Sequence, residues 1–257
     1  MQDYKLSRPL RYFVQLSYFG KPYHGWQYQP NAISVQETLN HVFSTLLNEK
    51  INLVGAGRTD TGVHAKDMWA HFETDKILPE NLVAKANSFL KESIAVYQVF
   101  KVEDHHHTRF DAISREYEYH ISLKKDPFLS DFAWLIRKKP DIDKMQEAAN
   151  SLFEFIDFTS FSKSKTQTRT NNCKILLANW EQEGDRLIFT IKADRFLRNM
   201  VRAIVGTLIE IGQGKINIED FRQIILAKDR ARAGESAPAH GLFLTKVEYP
   251  QNIINGK

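Results

Sequence analysis

The chain holds one cysteine, Cys173, among 257 residues. A single thiol rules out an internal disulfide and any thiolate zinc cluster, and leaves a buried structural role as its reading. No apolar run approaches membrane-spanning length, and no charged-then-apolar leader opens the sequence. Low-complexity segments and repeats with periods of roughly 20–50 residues are missing too. Neither G-x-G-x-x-G nor G-x-x-x-x-G-K-[ST] occurs, which argues against a nucleotide-phosphate cradle. These gaps leave a cytoplasmic protein with no membrane partner as the expectation. An excess of one charge is also wanting: 35 Lys and Arg face 31 Asp and Glu, a formal net charge of +4. A balance that small does not by itself name a nucleic acid as partner.

What is present is an ordinary globular composition, 42% hydrophobic and 26% charged, in a chain long enough for one large domain or two moderate ones. The basic residues are grouped. Arg195, Arg198 and Arg202 fall at helical spacings, Arg230 and Arg232 follow, and Lys163, Lys165 and Arg169 share a Ser/Thr/Gln-rich stretch. Arg137, Lys138 and Lys139 form a short run. Such clusters suit phosphate contacts, although any one of them is equally explained as a solvated face.

Arg11 to Tyr18 is β-branched and aromatic enough for a strand. Ser34 with Glu37 three residues on predicts a capping box. The apolar period Leu39, Val42, Phe43, Leu46, Leu47 continues the helix. Ile51 to Val54 and Met68 to Phe72 read as strands, Pro79 to Leu90 as a helix, and Ile94 to Val102 as a strand. A similar order follows: a strand from Glu116 to Leu123, a helix over Asp141 to Phe153, and strands Ile175 to Trp180 and Leu187 to Ile191 around a Glu-Gly-Asp turn. A strongly apolar helix, Phe196 to Ile211, a further helix, Ile218 to Leu226, and the strand Leu242 to Tyr249 close the chain. Two copies of a split β-α-β unit result. The expected fold is α+β: two ferredoxin-like halves with a mainly antiparallel central sheet, helices on one side, and the functional loops in a cleft between halves. The expected halves are residues 1–107, carrying the glycine-rich loop, and 108–257, carrying a tyrosine strand and the basic helix.

The chemistry centres on Val54-Gly55-Ala56-Gly57-Arg58-Thr59-Asp60-Thr61-Gly62-Val63-His64-Ala65. Three close-set glycines permit positive φ and close backbone approach to a ligand. Inside the bend stand a fixed cation, Arg58, and one carboxylate, Asp60. An arginine beside a buried carboxylate favours its charged form, which describes a poised nucleophile or base. The plain alternative is a polar turn in which Asp60 caps local backbone.

Other stretches divide the same way. His105-His106-His107 invites a metal reading, but adjacent histidines on extended chain diverge and no partner sits at ligand spacing; no metal is expected. With Thr108-Arg109-Phe110 the run suits a loop holding phosphate or base edges. Tyr117 and Tyr119 share a strand face, ordinarily half-buried packing. Arg202 lies amid apolar residues between Ala193 and Gly212, where an arginine needs a partner.

The Gly55–Ala65 segment closely resembles the signature of the tRNA pseudouridine(38–40) synthases, in which the aspartate is catalytic; Asp60 takes that place. Further matches run in order along nearly the whole chain: Tyr18, His24 to Asn31, Val35-Gln36, the Tyr117 strand, Met200-Val201-Arg202, and Ser236 to Leu244. The resemblance implies that Tyr117 stacks on the target uracil, that Arg202 pairs with Asp60, and that Leu244 packs beside the base. Arg58 and Arg202 are not separable as the countercharge from sequence, and Arg58 is equally suited to facing the RNA and helping flip the base. The resemblance further implies tRNA contacts at His106, His107, Thr108 and Arg109, a looser set at Gln167, Thr168 and Arg169, and a homodimer sharing one tRNA.

Two departures stand out: Asp67 and Met68 occupy the place of a Gly-Gln pair, and Phe243 replaces the commoner tyrosine. The implied reaction breaks the N1–C1′ bond of uridine and rejoins the base through C5 at positions 38, 39 and 40 of tRNA. It needs a carboxylate, a countercharge, a stacking ring and apolar walls, and no cofactor. Reaching a stacked base requires extrusion at about a few kcal/mol, offset by stacking and phosphate contacts. The rival readings are a non-catalytic protein of tandem RRM-like modules and a nucleoside hydrolase. Against the first, the aromatic RRM strand signature is missing. Against the second, no second carboxylate pairs with Asp60.

Overall fold

Tyr12, Phe13 and Val14 are all buried in the first strand, β1 (Leu10–Tyr18). Tyr12 stacks on Phe72 at 5.7 Å, while its neighbour Phe13 faces the other way, against Phe100 and Tyr249. A strand covered on both faces reads as a continuous apolar run rather than as an alternation. The computed structural model describes residues 9–163 and 169–254. The chain separates into two compact units. Among the described residues the first comprises residues 9–61, Ala65–Ile113 and residues 247–254; the second comprises Gly62–His64, residues 114–163 and residues 169–246. The two units adjoin in sequence at Ile113/Ser114, and residues 247–254 belong to the first.

In the first unit β1 is followed by α1 (Val35–Leu47), β2 (Val54–Gly55), β3 (His64–Thr74), α2 (Leu82–Phe89) and β4 (Ile94–Val102). β1 lies between β4 and β3, and β2 pairs with β3, every pairing antiparallel. That is the β-α-β-β-α-β order expected of a split unit. Ser34 caps α1 by accepting from the Glu37 backbone N–H. The Ile51 to Val54 strand is corrected to Val54–Gly55. The Ile51 amide donates to Ser44 Oγ at 2.9 Å and the Leu53 amide to Asn40 Oδ1 at 2.8 Å, so side chains of α1 take donors a ladder would have used.

The second unit repeats the arrangement: β5 (Ser114–Ser122), β6 (Trp134–Leu135), α3 (Ile142–Ser151), β7 (Ile175–Glu183), β8 (Arg186–Ala193), α4 (Met200–Gly212), α5 (Ile218–Leu226) and β9 (Leu242–Glu248); α6 (Gln251–Ile254), which follows in the chain, belongs to the first unit. The second unit's strand order is β9-β5-β8-β7, and β6 pairs parallel to β5. The α+β class with mainly antiparallel pairing is thus the observed one. Asp141 caps α3, and Asn217 with Asp220 forms a capping box on α5. At the β7–β8 turn Gly184 has φ +59°, a conformation glycine adopts without steric cost.

α4 is buried nearly all round, as expected of a helix apolar on every face. It begins at Met200, not Phe196. Asp194 Oδ1 accepts from the backbone N–H groups of Lys174 and Arg195, and Asn199 is left-handed at φ +67°, so the chain turns before it coils. Arg195 and Arg198 consequently lie off the helix. Their helical spacing with Arg202 is coincidental.

Candidate active site

The loop carrying Asp60 is held from behind by the segment after β1. The Trp26 amide donates to the Thr59 carbonyl at 3.2 Å, and Tyr18 and Thr59 share a buried hydroxyl–hydroxyl hydrogen bond of 2.9 Å. Gly25, at φ +84°, lies so near that a Cβ would stand 2.4 Å from the Thr59 carbonyl oxygen. Trp26 is 1% exposed and covers Gly55, where a Cβ would meet its indole at 2.6 Å. Gln36 braces the brace: its Oε1 accepts from the Tyr28 amide and Gln27, and its Nε2 donates to the Leu53 carbonyl. Thr59 is buried, Asp60 half-buried, and Arg58 exposed. Arg58 forms no hydrogen bond or ion pair with any described residue.

The loop after β4 is rooted beside the start of this one. Thr108 is fully buried, its hydroxyl donating to the Val54 carbonyl at 3.0 Å and lying 2.8 Å from His71 Nδ1. Its own carbonyl accepts from Tyr249 Oη at 2.6 Å. Thr108 therefore anchors the loop and does not present its side chain outward. His106 Nδ1 sits 2.9 Å from Asp111 Oδ2, which also accepts from the His107 amide. Arg109 is exposed over the Phe110 ring, itself 73% exposed. Burial, with the neighbouring His107 and Arg11 adding to it, pushes the His71 imidazole down to about 3. His107 is lowered by burial and Arg11 in the same way.

Asp67 of β3, in the place of the glycine of the Gly-Gln pair, bridges two elements. Its Oδ1 accepts from Gln15 Nε2 at 2.8 Å and its Oδ2 from the Val247 amide at 3.0 Å. Met68 beside it is fully buried.

In the second unit Tyr117 is half-buried on β5, its ring edge-on to Phe196 at 5.1 Å. Tyr119 is fully buried and donates to the Pro238 carbonyl at 2.8 Å. Burial raises its phenol well above the usual range, and the nearby Arg202 guanidinium opposes that shift. Arg202 Nε donates to the Ala237 carbonyl at 2.7 Å. Leu244 is buried on β9. Arg202 and Tyr119 are thus brought to one loop, residues 237–238.

His64, in the tail of the signature, was not singled out by sequence. It is buried, its Nε2 lies 3.0 Å from the Asp131 carbonyl and 3.1 Å from that of His240, and burial lowers its pKa. Its ring stacks on Phe243 at 4.7 Å, which occupies the commoner tyrosine's place. Arg169 is exposed, whereas Gln167, Thr168 and Lys165 lie outside the described residues.

A family profile described as tRNA pseudouridine synthase matches residues 148–250. A protein from Parabacteroides distasonis, "tRNA pseudouridine synthase A", is 49% identical over 95% of this chain and 98% of its own. The protein of that name from Bacteroides fragilis is 51% identical over 95% and 98%, and that from Francisella tularensis subsp. holarctica 37% over 93% and 94%. With half its residues shared over nearly its whole length, the chain belongs to the tRNA pseudouridine synthases, isomerases that act on uridine in tRNA.

Proposed function

We propose that the chain converts uridine to pseudouridine at positions 38, 39 and 40 of the tRNA anticodon stem-loop, with Asp60 as the catalytic residue. The N1–C1′ bond breaks, the uracil turns, C5 bonds to C1′, and the C5 proton leaves as N1 gains one. Tyr117 stacks on the flipped base, Leu244 packs beside it, and Arg202 supplies the countercharge to Asp60. Arg58 faces the RNA. His106, His107 and Arg109, on the loop that Thr108 anchors, and the segment Gln167, Thr168 and Arg169 contact the tRNA backbone. Two copies of the chain serve one tRNA in the cytoplasm.

The observation that carries this reading is the clamp on Thr59. Gly25, Trp26 and Tyr18 fix the residue before Asp60 while Asp60 itself stays half-exposed and Arg58 has no hydrogen-bond or ion-pair partner among the described residues. A reacting group held in place beside an exposed cation is what catalysis on an anionic polymer needs.

Release of tritium from C5 of labelled uridine in tRNA tests it. The wild-type chain releases it from those three positions, whereas Asp60→Ala binds the tRNA and releases none. Tritium release by Asp60→Ala at the wild-type rate would end the assignment.

A further inference from the structure

Residues 233–238 form a strap laid along α4, and its backbone touches the helix repeatedly. At Gly206 a Cβ would stand 1.8 Å from the Glu235 carbonyl oxygen, so only glycine admits the strap there. The Gly234 amide donates to Thr207 Oγ1 at 3.0 Å. Nearer the start of the helix the Ala237 amide donates to the Arg202 carbonyl at 2.9 Å, and Arg202 Nε returns a bond to the Ala237 carbonyl at 2.7 Å. The Ala237 carbonyl therefore holds the Nε edge of the Arg202 guanidinium.

The strap is held in turn by Arg230. Its Nη1 donates to the carbonyls of Ala233 at 3.2 Å and Gly234 at 3.1 Å, and its Nη2 to Ser236 Oγ at 2.9 Å. Ser236 Oγ also accepts from Asn199 Nδ2 at 2.6 Å, and Asn199 stands immediately before α4. Three acceptors gathered on one planar guanidinium are matched by the fork of an arginine and not by a lysine ammonium.

We infer that Arg230, whose charge and position in the sequence suit a phosphate contact, instead positions Arg202 for the isomerisation, acting through Ser236 and Ala237. The inference rests on Arg202 serving that reaction. It separates two roles that charge alone leaves merged. An arginine on a phosphate adds to tRNA affinity and its salt dependence, whereas an arginine that aims another side chain acts on turnover.

The experiment measures single-turnover rate, KM and tRNA affinity across a salt series for Arg230→Ala, Arg230→Lys, Ser236→Ala and Arg202→Ala. Arg230→Ala is expected to lower kcat by about 10- to 100-fold, with KM, tRNA affinity and the salt slope unchanged. Arg230→Lys restores little, Ser236→Ala gives a smaller loss of the same kind, and the Arg230→Ala, Arg202→Ala double variant is no slower than Arg202→Ala. Ser236→Ala removes one hydroxyl only and carries the test if Arg230→Ala does not fold. Unchanged kcat with weaker tRNA binding and a salt slope reduced by about one marks a phosphate contact and overturns the inference. Full turnover in Arg230→Ala and Ser236→Ala beside an impaired Arg202→Ala also overturns it, leaving the Arg202 reading intact. Full turnover in Arg202→Ala removes both.

Discussion

A methyl group added at Gly25 would lie 2.4 Å from the Thr59 carbonyl oxygen, the carbonyl that accepts the Trp26 amide one residue before Asp60. The position also has φ +84°, strained for any L side chain. Gly25→Ala therefore displaces the Asp60 loop while leaving the carboxylate in the chain. The expected outcome is a fall in kcat of about 10- to 100-fold, with tRNA affinity retained, read in single-turnover assays. Wild-type kcat in a folded Gly25→Ala protein would contradict the clamp.

Arg58 is exposed and has no hydrogen bond or ion pair with a described residue. Arg58→Ala is expected to keep stability within about 0.5 kcal/mol, as surface substitutions do, while turnover on tRNA falls. Urea unfolding and turnover measured on one preparation decide whether the residue serves the RNA or the fold.

Thr108 behaves oppositely. Its hydroxyl donates to the Val54 carbonyl and it is fully buried. Thr108→Val removes the hydroxyl that the Val54 carbonyl and His71 Nδ1 share and is expected to cost about 1–3 kcal/mol. tRNA affinity of the folded fraction stays near wild type.

Asp67 joins Gln15 on β1 to the Val247 amide. Asp67→Ala removes an acceptor from both, a loss of about 1–3 kcal/mol for each buried group left unpaired. A denaturant midpoint equal to wild type would show that the bridge contributes nothing.

His71 is held by burial at about 3, against an ordinary 6.5. Between those values the unfolded chain binds the proton and the folded chain does not, so stability rises with pH. The contribution of the neutral ring is complete above 6.5 and is lost as pH falls toward 3, at up to about 1.4 kcal/mol per pH unit. His64 and His107, also lowered, act in the same direction. Unfolding free energies at pH 7 and 5 are expected to differ less in His71→Gln than in wild type.

The sequence by itself determined the two split β-α-β units, because residue periodicity and caps such as Ser34, Asp141 and Asn217 act over a few residues. It also singled out Asp60 as the candidate, since the signature around it is contiguous. Tertiary structure alone decided what lies between distant positions. Asp67 meets Val247 from 180 positions away, and Thr108 turns inward to Val54 and His71 despite its polar surroundings in sequence. Side chains of α1 take the amides of Ile51 and Leu53, and a left-handed Asn199 delays α4 past Arg195 and Arg198. Local pattern tells which face of an element is apolar. Which polar group meets which depends on how elements far apart in the chain are packed, and the buried donors and acceptors must be satisfied there.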